Sequence, residues 1–269
     1  MEKKLRWKGV LFVLPSFLGL MIFYILPFIM SMDVGFQSFQ ELFQNEAFRL
    51  ATYNTVRIIG SALVLLCLLS LGIALMLESQ LEKYRWGQSV LLIPLAIPAA
   101  SMILLWQDLL GPNGILNSIL KIDIDWLNSR AAPYVIIGMI LWKNTGYNVL
   151  LLLGALFTMP KEYEEAAQLD GASKLRIAWS IKLPYLLPIL FFIGVISLQN
   201  SFKIFREIYL LQGDYPYGEL YFLQHFMNNN FAKLNIEVLS AAAFTVYVFI
   251  FLAIYILSYG QQYYLKKSN

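Results

Sequence analysis

The chain has one cysteine and one histidine in 269 residues, and only 14% of its side chains are charged. A single cysteine, Cys67, allows no intrachain disulfide and no cysteine-based metal site. It sits in the apolar run Ile58–Leu77, where a thiol reads as a small buried hydrophobe. The single histidine, His225, has no cysteine or second histidine nearby to complete a zinc set, and reads as an ordinary loop residue. No glycine is followed by lysine, so the Gly-x4-Gly-Lys-Ser/Thr phosphate cradle is missing. A formal charge of +3 gives no ground for a nucleic-acid partner. The scarcity of charge is the strongest exclusion. Soluble domains carry ~25% charged residues, whereas this chain is 59% hydrophobic with a mean hydropathy of +0.62. Such an excess has to meet an apolar solvent, and the bilayer is that solvent.

What the chain does contain is long uncharged runs. A helix needs ~20 predominantly apolar residues to cross the hydrocarbon. Val10–Met32, Ile58–Leu77, Gly87–Gln107 and Val238–Gly260 each lack any formal charge. Leu183–Phe202 is also uncharged, with Pro184 and Pro188 in its first turns, and Ala131–Met159 carries one charge, Lys143. The first run follows Lys3, Lys4, Arg6 and Lys8, as a signal peptide would. Its apolar length exceeds a signal core of ~7–15 residues and no small-residue cleavage site comes after it, so it reads as a retained helix. The expectation is an all-α integral membrane protein with six transmembrane helices, organised as one domain over residues 1–269.

Lys and Arg gather in cytoplasmic segments. Placing both termini inside puts the N-terminal basic residues, Lys83 and Arg85, the four basic residues from Lys161 to Lys182, and Lys266 and Lys267 on the cytoplasmic side. Trp7, Trp86, Trp106 and Trp126 then fall near span ends, as an interfacial belt would place them. Leu116–Trp126 and Tyr217–Phe231 read as short interfacial helices. Arg57 and Lys143 are expected to snorkel or to pair with an acid, though no partner is evident in the sequence.

Residues 159–184 form the most informative stretch. Pro160 ends the fourth span, Glu162, Glu164 and Glu165 place acids at a helix N-terminus, and Asp170-Gly171 breaks that helix. Asp170 can cap a second helix over Ala172–Leu183, with Leu175, Trp179 and Leu183 on one face, and Pro184 starts the fifth span. Glu165-Ala166-Ala167, then Gly171, then Ile181-x-Leu183-Pro184 matches the EAA-x3-G-x9-I-x-L-P motif of bacterial ABC-importer permease subunits, with every spacing intact. The extension through Asp170, Ala172 and Ser173 resembles the carbohydrate-type permeases in particular. So do Leu11-Phe12-Val13-Leu14-Pro15, Ile93-Pro94-Leu95-Ala96-Ile97-Pro98 followed by Trp106, and Asn113-Gly114 to Asn117. The resemblance covers nearly the whole chain. One departure is that Leu211-Gln212-Gly213-Asp214-Tyr215-Pro216 stands where many members have Thr-Gly-Gly-Gly-Pro.

The resemblance implies a bacterial cytoplasmic (inner) membrane location and a short coupling helix seated in a groove of a partner ATPase. Ala166 and Ala167 would permit close approach, Gly171 the turn, and Glu165 an ion pair with a partner arginine. It implies two ABC ATPase subunits, which hold ATP and Mg, a second and different permease chain, and an extracellular solute-binding protein. That protein would dock on Asp33–Asn54, Asp108–Arg130 and Lys203–Glu237. Lipid is the remaining partner. No cofactor and no catalytic residue is expected in this chain, because a membrane enzyme would need paired carboxylates, Ser/His or a metal set at membrane depth. Leu257-Ser258-Tyr259-Gly260-Gln261-Gln262 resembles the ABC ATPase signature, but it continues an apolar span with no nucleotide-binding fold around it. Polar groups inside spans are the candidate solute contacts: Asn144, Tyr147 and Asn148 in the fourth, with Gln199, Asn200 and Lys203 at the end of the fifth. Amides beside an aromatic ring suit a mono- or oligosaccharide, with a polyol phosphate, amino acid derivative or polyamine as alternatives. A secondary transporter would need more ionisable residues in its spans than Lys143 alone.

Overall fold

The computed structural model describes residues 12–36, 38–81 and 86–268. Trp7, the N-terminal basic cluster, Lys83 and Arg85 lie outside the described residues, as does the side chain of Trp86. Among the described residues every regular element is helical: α1 Leu26–Phe36, α2 Phe39–Gln44, α3 Glu46–Leu81, α4 Trp86–Ala96, α5 Ala99–Leu110, α6 Ile115–Leu120, α7 Ala132–Phe157, α8 Lys161–Leu169, α9 Lys174–Ile177, α10 Leu183–Phe202, α11 Phe205–Gln212, α12 Leu223–Ala232 and α13 Ile236–Ser268. Five stretches are long and apolar enough to cross a membrane: Phe12–Met32, Glu46–Glu78, Ala132–Phe157, Lys174–Gln212 and Ile236–Gln262.

The expected continuous span Gly87–Gln107 is instead a broken one. Ser89–Ala96 and Ala99–Leu120 meet at 97°. Pro98 explains the break, because it has no N–H to donate and its ring drives Ile97 out of the helical region. Pro98 takes an extended ψ of 146° and its carbonyl accepts from Met102 N at 3.0 Å, so it becomes the cap of a new helix. The elbow's second helix is also not separate from the fifth span. α9 runs through a π-helical turn, Ala178–Lys182, directly into α10. The wide turn lies just ahead of Pro184 and Pro188, where missing donors loosen the regular ladder.

The described residues divide into two compact units. In the first, up to Arg49 together with Phe226–Phe251, aromatic rings hold helices together. Phe28 lies 4.7 Å from Tyr247, Phe39 is edge-on to Phe244 at 5.8 Å, and Phe48 is edge-on to Phe226 at 5.4 Å. None of the apolar window of Phe12–Met32 is buried by the chain itself, so its surroundings must supply the apolar contact.

In the second unit, Leu50–His225 with Leu252 onward, two buried clusters form. One joins Ile58 and Ala62 to Met102, Ile136, Met139, Ile208 and Phe222; the other joins Ala74 to Val149, Leu152, Leu156, Leu186 and Ile193. Between helices in lipid the hydrophobic drive is small, so close approach and polar joints decide the packing. Gly146 of α7 provides the approach, since a Cβ there would collide with the Leu91 carbonyl of α4. Asn54 donates to the carbonyls of Gly218 at 2.8 Å and Tyr221 at 3.2 Å, and Thr55 Oγ1 accepts from Leu223 N at 3.0 Å.

Candidate coupling elbow and translocation site

α8 is a nine-residue helix with Glu162 and Glu164 in its first turn and Pro160 ahead of it. It closes in a Schellman arrangement. Gly171 adopts φ +79°, its N–H reaches the Gln168 carbonyl at 3.0 Å, and Ala172 N reaches the Ala167 carbonyl at 2.9 Å. The left-handed φ explains why glycine sits at that place in the motif. Asp170 is the C-cap of α8 and does not cap α9. That role falls to Ser173, whose Oγ accepts from Arg176 N at 3.3 Å. Glu165, Ala166, Asp170 and Gly171 are exposed, Ala167 and Ala172 half-buried. Leu169, Leu175 and Trp179 are 90%, 69% and 63% exposed, so the apolar face expected over Leu175 and Trp179 is not used within this chain.

One side chain ties this elbow to the spans. Lys182 is buried, and its Nζ donates to Glu78 Oε2 of α3 at 2.7 Å and lies 3.0 Å from Glu164 Oε2 of α8. A lysine shared by two carboxylates joins three helices at one point. Nothing in the sequence indicates that the three residues meet.

Lys143, twelfth in α7 and so about 17 Å along it, pairs with Glu207 of α11. Glu207 is 1% exposed and its Oε2 has no hydrogen-bond partner. It is the only acid between Asp170 and Asp214, a signal that could have matched it to the only cation of the fourth span. Arg57 also has its acid: its guanidinium donates to Glu219 at 2.7 Å and lies 5.3 Å over the Tyr53 ring.

A cavity of ≈ 420 Å³ lies beside the helix break, lined by Leu95 to Ala99, Lys143 and Phe202 to Glu207, Ile204 excepted. Of the six predicted solute contacts only Lys203 lines it; its Nζ donates to Asn200 Oδ1 at 2.9 Å. Asn144 is turned back on its own helix, donating to the Ile140 carbonyl at 2.9 Å. Asn148 is fully buried and donates to Ser197 Oγ at 2.9 Å, a joint between α7 and α10. Tyr147 is half-buried and Gln199 exposed. A second cavity of ≈ 450 Å³ has a mixed lining, with Gln107, Asp108, Asn113, Asp125, Asn128 and Gln212 beside Pro112, Leu127 and Leu211. Asn117 shapes the adjoining loop, donating to the Pro112 and Ile124 carbonyls while accepting from Trp126 Nε1 at 2.6 Å. Trp106 is half-buried and packs edge-on against Trp142 at 5.9 Å beside the buried cluster.

His225 is a helix residue of α12 and fully buried, contrary to the loop expectation. Its Nδ1 accepts from Phe222 N at 3.2 Å, and its ring meets Phe205 edge-on at 4.7 Å. Burial pushes its pKa down to about 4, partly opposed by Asp214. Among the described residues no three His, Cys, Asp or Glu side chains are grouped to hold a metal ion. In place of the Thr-Gly-Gly-Gly-Pro turn, Gly213 alone takes φ +75° and ends α11, while Gln212 Oε1 accepts from Tyr217 N at 2.9 Å.

Residues 70–268 match the family described as binding-protein-dependent transport system inner membrane component. The sn-glycerol-3-phosphate transport system permease protein UgpA of Yersinia pestis bv. Antiqua (strain Antiqua) is 32% identical, with 73% of each chain covered. The protein of that name from Escherichia coli O6:K15:H31 is 30% identical over 73% of this chain and 74% of its own. Among solved structures, a chain of the bacterial alginate ABC transporter in complex with alginate pentasaccharide-bound periplasmic protein superposes with a TM-score of 0.85 at 23% identity, covering 95% of this chain and 94% of that one.

Proposed function

Because the chain belongs to the binding-protein-dependent transport system inner membrane components, a family of multi-pass, non-catalytic ABC-importer permeases, we propose that it forms half of the pathway for a sugar or sugar-like polyol delivered by an extracellular binding protein. The observation that carries the mechanism is the elbow: an exposed α8 closed by Gly171, with unclaimed apolar side chains and a lysine anchor into two spans. Exposed apolar residues of this size beside small ones suit a groove on a partner. Glu165 stands free at the surface for an arginine of that partner. The partner ATPases would hold ATP and Mg. Their closure would draw this elbow towards that of a second, related permease and so open the pathway alternately to the two sides.

The test is purification of the tagged full-length chain from native membranes in mild detergent, with Cys67→Ala and Glu165→Cys for crosslinking. Recovery of an ABC ATPase bound at residue 165, with a second permease, supports the reading. Failure to recover any ATPase, even after crosslinking, refutes it.

A further inference from the structure

The cavity beside the helix break presents an excess of positive charge. Lys143, Lys203 and Arg206 face it with Glu207 as the one acid. The N-terminus of the twelve-residue α5 opens on the same space, since Pro98 and Ala99 line it and no side chain caps that end. Orphan N–H groups and the positive end of the helix dipole there favour an anion. Glu207 meets Lys143 through one oxygen and leaves the other, buried, without a partner. Lys203 reaches only the Asn200 amide, and Arg206 makes no ion pair among the described residues.

We propose that this cavity binds the anionic group of the transported solute, a phosphate or a sugar carboxylate, with Arg206 and Lys203 as its contacts and Glu207 as an internal competitor that holds Lys143 while the cavity is empty. This rests on the permease reading above. A half-buried ammonium within a span needs a counter-charge, and Glu207 supplies one when no solute is there. An arriving anion completes the coordination of Lys143, Lys203 and Arg206 together. A neutral sugar brings no counter-charge, and a polyamine is repelled.

The experiment uses the full-length chain assembled with its co-purifying subunits in nanodiscs, titrated with glycerol 3-phosphate, glucuronate and glucose. Binding of glycerol 3-phosphate or of glucuronate, but not glucose, is expected, and the better of the two identifies the phosphate or the carboxylate as the recognised group. Arg206→Gln and Lys203→Gln, both exposed and so tolerated by the fold, should each weaken that binding by roughly tenfold. Glu207→Gln should tighten it. Glucose binding as well as the anions, no anion binding, or Arg206→Gln and Lys203→Gln leaving affinity unchanged overturns the proposal. ATP hydrolysis by the same particles separates the two readings: hydrolysis without anion binding discards the anion site alone, whereas particles lacking any ATPase discard the permease role.

Discussion

Replacing Lys182 by methionine keeps the length of the side chain and removes the charge that Glu78 and Glu164 share. Lys182 is 9% exposed as a residue, and the two carboxylate side chains are 19% and 33% exposed, so the site is only partly open to screening. Each charge-assisted hydrogen bond contributes about 1.5–3 kcal/mol in protected surroundings. Discounting the more exposed Glu164 contact towards the surface value of about 0–1 kcal/mol leaves a loss of about 2–3 kcal/mol for Lys182→Met. Two carboxylates would then face one another without a cation. Glu164→Gln, which spares the Lys182–Glu78 pair, should cost about 1 kcal/mol or less. The thermal midpoint of the purified assembly should fall by several degrees for Lys182→Met and hardly at all for Glu164→Gln. Both variants should still bind the ATPase, since the exposed face of α8 is untouched. Transport per ATP hydrolysed, measured in proteoliposomes, should drop in both, because the elbow would move without pulling the spans. An unchanged midpoint for Lys182→Met, or an unchanged transport-to-hydrolysis ratio in both variants, would refute the reasoning.

Gly171→Val forces a β-branched residue to φ +79° at a cost of about 1–3 kcal/mol, and together with Glu165→Ala it should lower transport while leaving membrane insertion intact; full transport by both sinks the coupling role. Gly146→Leu drives a side chain into the Leu91 carbonyl and should reduce detergent-solubilised yield and midpoint, whereas Gly138→Leu, with open space at its Cβ, should not; equal losses would remove the case for close approach. The His225 imidazole is held neutral by burial, so the unfolded chain takes up a proton between pH 6.5 and about 4 that the folded chain does not. Stability should therefore fall as pH drops through that window, by up to about 3 kcal/mol, and His225→Gln should flatten the slope of midpoint against pH.

Apolar run length located the spans because the requirement for ~20 uncharged residues is set by bilayer thickness. It could not separate a straight span from a broken one, and Pro98 divided Gly87–Gln107 at a point where composition is uniform. Of the elbow, the break at Gly171 was legible, since a left-handed φ answers to local backbone chemistry, whereas the capping of α9 by Ser173 and its continuity with the fifth span were not. The ion pairs were not. Lys143 with Glu207, Arg57 with Glu219, and Lys182 with Glu78 are separated by 64, 162 and 104 positions, and no local periodicity links them. The fourth-span amides were read as candidate solute contacts from their polarity alone, and that polarity did not reveal that Asn144 and Asn148 spend their donors on Ile140 and Ser197. His225 escaped because its burial is created by Phe205 and Phe222, aromatic residues with no helical spacing of their own around it.

The continuity of Lys174–Gln212 has a mechanical meaning. Lys182 near one end and Lys203 near the other lie on the same rod, about 32 Å apart at 1.5 Å per residue. A pull applied at the anchor would reach the cavity wall as displacement of one stiff beam, with no relay of side chains between them. That beam departs from regular α geometry at the π turn Ala178–Lys182, ahead of Pro184 and Pro188, on the driven side. Bending there would let the elbow follow its partner through an arc while the far end keeps its line, much as a universal joint passes on thrust and absorbs misalignment.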